Sequence, residues 1–545
     1  MAFRKLVILM RNFLQKNAIL LLILLLAIFL RGFMLGEIPG SINPDEASLG
    51  YTSFSILKTG ADEHGKFLPL SLRSFGDWKL PVYSYIGVVP VAFFGLNEFS
   101  VRFTSMMAGV IAVLLIYFIS LKLFNKRGIA LISALFFSVS PWSIYFSRGA
   151  YEVNVATTVF LGGFLALLHY FQNKRIRYLF LSFVLFGATM FTQHNYIIFA
   201  LLYVFTILFL FRKNILYNRR WYATIAFFVI LIAVSYMSIA AGGGKKVSNL
   251  NIFNHKNIIY NRAEKLRGDN SPKNNFLERI FHTKYSGGAY QFTLNYLNSY
   301  SPNFLFDKGG EKLIHNIGDV GYFYIFDAFF VIIGLAFLFW NKEKKSLLFL
   351  VPWLLIAPIP SAITRELSGT RLFTILPLFM LIASYGVYKT AIICKESKLR
   401  YVACGIFVLF FIGIVIYFLE YYFVHFNHQR IRFWHYGYRE AVKLTYKYPT
   451  YNVVMRGPDN FPYIYFLFYT QYEPIRFRNE VKYYPPTSEG FYFVKSFGKF
   501  SFPESIDYAK LKPKTIYIDD AKLTNRKNKI FLPSGETILG FEIKN

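Results

Sequence analysis

Eleven apolar stretches, each close to the ~20 residues that a helix needs to cross a bilayer, recur along the chain and limit its fold more than any other feature. They fall near 17–35, 100–121, 128–147, 154–171, 178–193, 195–211, 221–241, 321–340, 346–362, 371–392 and 400–420. In hydrocarbon every backbone amide must find its partner inside the segment, so runs of this length fold as helices. Composition agrees: 55% of the 545 residues are hydrophobic and the mean hydropathy is +0.37, too apolar for a water-wetted surface. The expected fold class is an all-α polytopic membrane protein of about eleven transmembrane helices, followed by a small extracytoplasmic α/β domain.

Charge then orients the chain. Arg4, Lys5, Arg11 and Lys16 precede the first stretch, which is too long and too poorly cleavable for a signal peptide and reads as an anchor with its N-terminus inside. Alternation places Lys122/Lys126/Arg127, Lys174/Arg175/Arg177, Arg212/Lys213/Arg219/Arg220, Lys342/Lys344/Lys345 and Lys395/Lys398/Arg400 on that same cytoplasmic face. On the other face Arg148, Arg365 and Arg371 are exceptions, hence candidates for function. The net charge of +30 suits anionic headgroups or a phosphorylated substrate; short scattered basic clusters exclude a nucleic-acid partner. Cys394 and Cys404 flank one basic loop and offer neither a disulfide framework nor a thiolate metal site. No Asn-x-Ser/Thr acceptor occurs, which favours a bacterial or archaeal plasma membrane.

Three long segments face outward, near 36–99, 242–320 and beyond 421, dividing the chain into a membrane module, 1–420, and a soluble domain, 421–545. The stretch 81–96 is apolar but short and broken by Pro81 and Pro90, so it is expected to lie in the interface or re-enter. In the last segment 439–446 reads as helix, and 451–455, 490–494, 515–518 and 529–532 as strands between turn residues.

Two adjacent carboxylates, Asp45 and Glu46, follow the first span directly. Ionisable groups at a bilayer surface are costly unless used. Asp45 can take a proton from an attacking hydroxyl, or it can simply cap a short helix over 47–57. Cations to hold a leaving phosphate are at hand: Lys79, beside Asp77, and Arg148, Arg365 and Arg371. Each has a plainer reading, as a snorkelling anchor or, for Arg148, an ion pair with Glu152. His194, in Gln193-His194-Asn195, and His315 read as structural helix-end residues. Walker and Rossmann fingerprints are absent, and Gly242-Gly243-Gly244-Lys245-Lys246 matches a phosphate loop only loosely.

Taken in order, Pro44-Asp45-Glu46 with Tyr51, Asp77-Trp78-Lys79-Leu80-Pro81 with Tyr83, Glu98-Phe99-Ser100-Val101-Arg102, Arg148 with Glu152, and Arg371 with Pro377 resemble the GT-C superfamily of membrane glycosyltransferases. The similar branch is that of the protein O-mannosyltransferases and lipid A aminoarabinose transferases. The resemblance covers about 17–240 and, more loosely, 310–420. It implies a polyprenyl-phosphate sugar donor, an extracytoplasmic glycan, lipid or protein as acceptor, and membrane lipids as surroundings. By position it implies Asp45 as the essential aspartate, Lys79 as a phosphate contact and Glu152 as the acidic residue of the second outer loop. Together with the residues read above, the expected catalytic set is Asp45, Glu46 and Glu152, and the expected substrate-binding set is Tyr51, Asp77, Lys79, Arg148, His194, Arg365 and Arg371. It calls for no certain cofactor, and a divalent metal is the one addition it leaves room for. The chain departs from relatives at Asp77, where Glu is frequent, and at 193–195, where several carry Lys-Gly. A transporter or flippase of a lipid-linked or anionic solute is the competing class; it would bury charge at the midplane of paired repeats, and none is visible.

Overall fold

The computed structural model describes residues 2–75, 77–215, 221–240, 252, 283–310, 312–394, 400–457, 461–487, 492–520 and 528–545. The loose glycine loop at 242–246, most of the second outer segment, and the basic residues Arg219, Arg220, Lys395 and Lys398 lie outside those residues. Each expected span coincides with helix: α1 (Ala2–Gly32), α4 (Glu98–Phe124), α5 (Arg127–Val139) with α6 (Pro141–Arg148), α7 (Glu152–Asn173), α8 (Ile176–Met190), α9 (His194–Leu210), α10 (Trp221–Ser238), α12 (Ile325–Trp340), α13 (Lys344–Ile356), α14 (Ile375–Ile393) and α15 (Arg400–Glu420). Between α10 and α12 stands α11 (Lys284–Asn298). By length and apolarity six described helices can cross a membrane, or seven if the bent α5–α6 pair is one span. Four of the expected spans, α8, α9, α10 and α12, are apolar but fall in the 10–17-residue class.

Three fully buried arginines tie the first helix to its neighbours. Pro141 lacks the amide that would reach the Phe137 carbonyl, and the helix breaks by 55° at Ser140. Arg31 supplies the missing donors, to Phe137 O at 3.3 Å and Ser138 O at 2.9 Å, while the Tyr324 hydroxyl donates to Val139 O at 2.9 Å. Arg148 caps the end of α1, donating to the carbonyls of Leu30, Arg31, Met34 and Ile38 at 3.1–3.2 Å. Arg102 donates from Nε and Nη2 to the two oxygens of Glu46, at 3.2 and 3.1 Å, and also to the carbonyls of Leu35, Pro39 and Ser41.

The first outer segment opens with α2 (Pro44–Thr59). Its N-cap is Asn43: the Asn43 side chain accepts from Glu46 N at 2.9 Å, and Glu46 accepts from Asn43 N at 3.3 Å. Asn-Pro-x-Glu is the capping box with proline at N1, so the expectation that Asp45 might cap a helix starting at 47 is corrected. Gly60 ends the helix in the left-handed region, φ 68°. A hairpin of β1 (Leu72–Ser74) and β2 (Asp77–Lys79) leads into α3 (Val82–Phe94). Tyr83, Ser84, Gly87, Pro90 and Val91 of α3 are buried, while Ile86, Val89 and Phe93 form an exposed apolar stripe. The short apolar segment expected at 81–96 is thus a helix with one buried and one exposed apolar face.

After α15 the chain forms α16 (Tyr438–Tyr446), β3 (Asn452–Met455), α17 (Pro462–Tyr469), α18 (Pro474–Glu480), β4 (Lys482–Tyr483), β5 (Val494–Phe497), β6 (Phe500–Ser501), β7 (Thr515–Asp520), β8 (Asn528–Phe531) and β9 (Thr537–Lys544). The sheet runs β4-β5-β6-β3-β7-β9-β8, with β3 parallel to β6 and β7 and the other pairs antiparallel. The helix at 439–446 and three of the expected strands are present; the one expected at 490–494 begins only at Val494. α17 is buried from Pro462 to Phe468 and packs on α2, where a Cβ on Gly50 would come within 2.7 Å of Phe468. Tyr469 donates to Glu98 at 3.0 Å, Tyr463 to Glu63 at 3.2 Å, and Arg478 to Thr59 Oγ1 and Asp62 O at 2.8 and 2.7 Å. The C-terminal unit thus shares a core with the first outer segment.

Removing Arg102 strands the Glu46 carboxylate, 1% exposed, without its cation. Arg102→Leu should therefore cost about 3–5 kcal/mol, read as a lower Tm of the detergent-purified protein.

Candidate active site

At the end of the bundle opposite the basic loops, five segments distant in sequence converge. Basic residues gather at the other end, where Lys345 donates to Lys122 O at 3.1 Å and Arg127 to Lys16 O. Asp45 sits in the first turn of α2 with its side chain 71% exposed. Lys79, on β2 and 6% exposed, reaches Asp45 Oδ1 at 2.9 Å and donates to Asp45 O at 3.2 Å. The Phe75 ring lies 5.3 Å from the ammonium. Neighbouring helix residues point about 100° apart, so the capping box that turns Glu46 inward turns Asp45 outward.

The β1–β2 hairpin is held from behind by the α8–α9 turn: His194 Nε2 lies 2.9 Å from Trp78 O, and Val82 N donates to Phe191 O at 3.3 Å. Asn195 donates to Arg371 O at 3.1 Å, and Arg371 itself donates to Thr364 Oγ1 and Glu366 O at 3.0 and 2.9 Å. His315 pairs with Ser368 Oγ at 3.2 Å, and the hydroxyls of Tyr145 and Tyr151 both donate to Ile314 O, at 2.7 and 2.8 Å. Burial pushes the His315 imidazole down to about 3; Lys312 and Arg371 push it the same way, and the Asp45 carboxylate opposes them. Burial likewise holds His435 down to about 4 against the pull of Asp45. The Asp45 charge is thus felt at two neutral imidazoles, while Lys79 pairs with it directly.

The other sequence candidates divide. Glu46 is fully engaged, accepting from Arg102, Asn43 N and, at 2.7 Å, Ala150 N; it offers substrate no exposed oxygen and so does not stand where an expected catalytic acid would. Arg148 spends its guanidinium on α1 carbonyls and the Phe423 ring 4.8 Å away, which corrects its expected place at a phosphate. Tyr51 is buried and donates to Tyr472 O at 2.9 Å, so it docks the C-terminal unit rather than facing the carboxylate, a second correction. Glu152 begins α7, partly buried, near enough to Tyr83 for its charge and that of Glu46 to be felt there. Arg365 is exposed. The Asp77 side chain lies outside the described part of the chain. Sequence reasoning missed Lys312 and His435 and set His315 aside, since nothing local marks residues brought to Asp45 from some 270 to 390 positions away. Among the described residues no group of three His, Cys, Asp or Glu could hold a metal.

Residues 79–238 match the sequence model of the family described as dolichyl-phosphate-mannose-protein mannosyltransferase. ArnT from Cupriavidus metallidurans in the apo state is similar with a TM-score of 0.51 at 10% identity, over 97% of this chain and 98% of that one. The same protein bound to undecaprenyl phosphate gives 0.49 at 10%, over 96% and 98%. The apo Archaeoglobus fulgidus oligosaccharyltransferase gives 0.46 at 12% over 84% of this chain, which spans 64% of that one. No curated protein matches in sequence. The class is thereby defined: this is a multi-pass membrane protein with the fold of ArnT. Its likeness to ArnT runs nearly end to end and includes the C-terminal unit, for which the sequence alone suggested no relative.

Because both imidazoles are depressed below the ordinary histidine value of about 6.5, the unfolded chain binds protons that the folded chain refuses. Their contribution to stability is complete above that value and is lost as pH falls toward about 4 for His435 and about 3 for His315. The Tm in detergent should drop between about pH 7 and about pH 5, and drop less for His315→Gln/His435→Gln than for the parent.

Proposed function

We propose that the chain is an integral membrane glycosyltransferase that moves a hexosyl or pentosyl group from a polyprenyl-phosphate donor to an extracytoplasmic acceptor. The observation that carries this reading is the exposed Asp45 carboxylate held at 2.9 Å by the buried Lys79, at the head of a helix fixed by its own capping box. A polyprenyl-phosphate donor is supported by the family matched over 79–238, whose description names dolichyl phosphate mannose.

In this reading Asp45 accepts the proton of the acceptor hydroxyl as its oxygen bonds to the anomeric carbon, and the bond from that carbon to the phosphate oxygen breaks. Lys79 holds Asp45 in place; two of its three ammonium donors point at Asp45, and the third serves the phosphate. Arg371, Arg365 and Lys312 hold the remaining charge of the leaving group. Glu46 is a positioning residue, and Glu152 orients the acceptor. His194 supports the hairpin that carries Lys79, and Asp77 is assigned to substrate binding. The membrane module, 1–420, keeps its N-terminus in the cytoplasm of a bacterial or archaeal cell, and 421–545 lies outside with the site. A transporter gains no support from the buried arginines, because their terminal guanidinium nitrogens donate to carbonyls, hydroxyls and Glu46.

With purified protein and a panel of polyprenyl-phosphate sugars, Asp45→Asn should lower release of polyprenyl phosphate by about 10²–10⁴-fold with the Tm unchanged. Undiminished release would sink the mechanism. Orientation is read separately, by labelling single cysteines after Cys394 and Cys404 are replaced: positions 175 and 343 should react only from the cytoplasm, and position 480 only from outside.

A further inference from the structure

Beside the candidate site a pocket of about 320 Å³ opens between the segment carrying His435, the end of β3 and the β8–β9 turn. That volume suits a small ligand. Its charges are balanced: Arg456 pairs with Asp519, which also accepts from the Tyr508 hydroxyl at 2.6 Å, and Arg432 lies 3.9 Å from Glu536. A phosphate entering here would meet as much repulsion as attraction. A neutral polyol fits better, since guanidinium groups only donate and carboxylates only accept, so hydroxyls find both kinds of partner side by side. Tyr438, stacked on Tyr465 with ring centroids 4.5 Å apart, adds a fixed apolar face.

His435 borders both places. Its ring lines the pocket, its imidazole feels Asp45, and its carbonyl lies 3.5 Å from the hydroxyl of Ser41, four residues before Asp45. We propose that this pocket is the acceptor subsite and that it takes the neutral carbohydrate portion of a glycan, with one hydroxyl directed past His435 toward Asp45. The assignment rests on the transferase reading above and adds to it the class of acceptor and the part of the chain that selects it. Cations on the membrane side of Asp45 would hold the donor phosphate, while the charge-balanced pocket on the C-terminal side holds sugar.

The test uses the full chain in detergent and saturation-transfer NMR with mannotriose, chitotriose and mannose 6-phosphate, together with donor hydrolysis by water in the absence of acceptor. Arg432 and Glu536 are exposed, so Arg432→Gln/Glu536→Gln leaves the fold intact. At least one neutral trisaccharide should bind the parent better than mannose 6-phosphate does. The double variant should bind it roughly tenfold more weakly, the loss expected for a charged hydrogen bond, with donor hydrolysis unchanged. Equal binding by parent and variant, no binding of either neutral trisaccharide, or preference for mannose 6-phosphate overturns the proposal. Asp45→Asn separates the two ideas: hydrolysis that survives it removes the transferase reading, while saccharide binding reports on the pocket alone.

Discussion

The ion pair between Glu46 and Arg102 is the contact on which the rest of the structure depends. Both side chains are at most 1% exposed, and withdrawing them from water costs several kcal/mol per ion before any attraction is counted. The cost is offset because no donor or acceptor in the pair is wasted. Arg102 gathers three carbonyls of the turn after α1, and Glu46 takes the start of α2 and the Ala150 amide before α7. One pair therefore fixes the exit of the first helix, the entry of the second and the join between α6 and α7. An apolar replacement of both residues could match the volume, but it would leave these carbonyls and amides without partners.

The exposure of Asp45 follows from that pair. A carboxylate next in sequence to a buried one on a helix must project elsewhere, and here it meets Lys79 on a hairpin that the α8–α9 turn supports from behind. The two histidines that feel its charge are themselves neutral, so the electrostatics at this point are set by one carboxylate and the cations near it. Such a site suits chemistry in which a proton leaves on one side of a carbon while a phosphate departs on the other.

Much of this was legible in the sequence. Apolar length located the helices, Pro81 and Pro90 marked α3 as short, and the position of Asp45 after the first span singled it out. The misreadings share a cause. Asn43-Pro44-Asp45-Glu46 spells a capping box, and reading Asp45 as a candidate cap overlooked that Glu46 at N3 points back to Asn43. Arg148 looked available because its partners are backbone carbonyls, which no residue pattern announces. Tyr51 was misjudged because α17 was not foreseen: 462–469 is apolar on every side, so its period is silent, and only the docking of the C-terminal unit on α2 explains both. His315 and His435 reach Asp45 by tertiary folding alone.

The seam between the first outer segment and the C-terminal unit also sets a timetable. Glu63 and Tyr463 are 400 residues apart, and Arg478 waits for Thr59 across 419. At the usual 5–20 residues per second, the ribosome makes the carboxylate-bearing loop roughly 20–80 s before the residues that close over its flank. During that interval α2 presents Tyr51 and Gly50 as an unfinished apolar face at the membrane surface. A newborn chain is thus membrane-anchored long before it is complete, and a truncation between α15 and α17 leaves that face permanently uncovered.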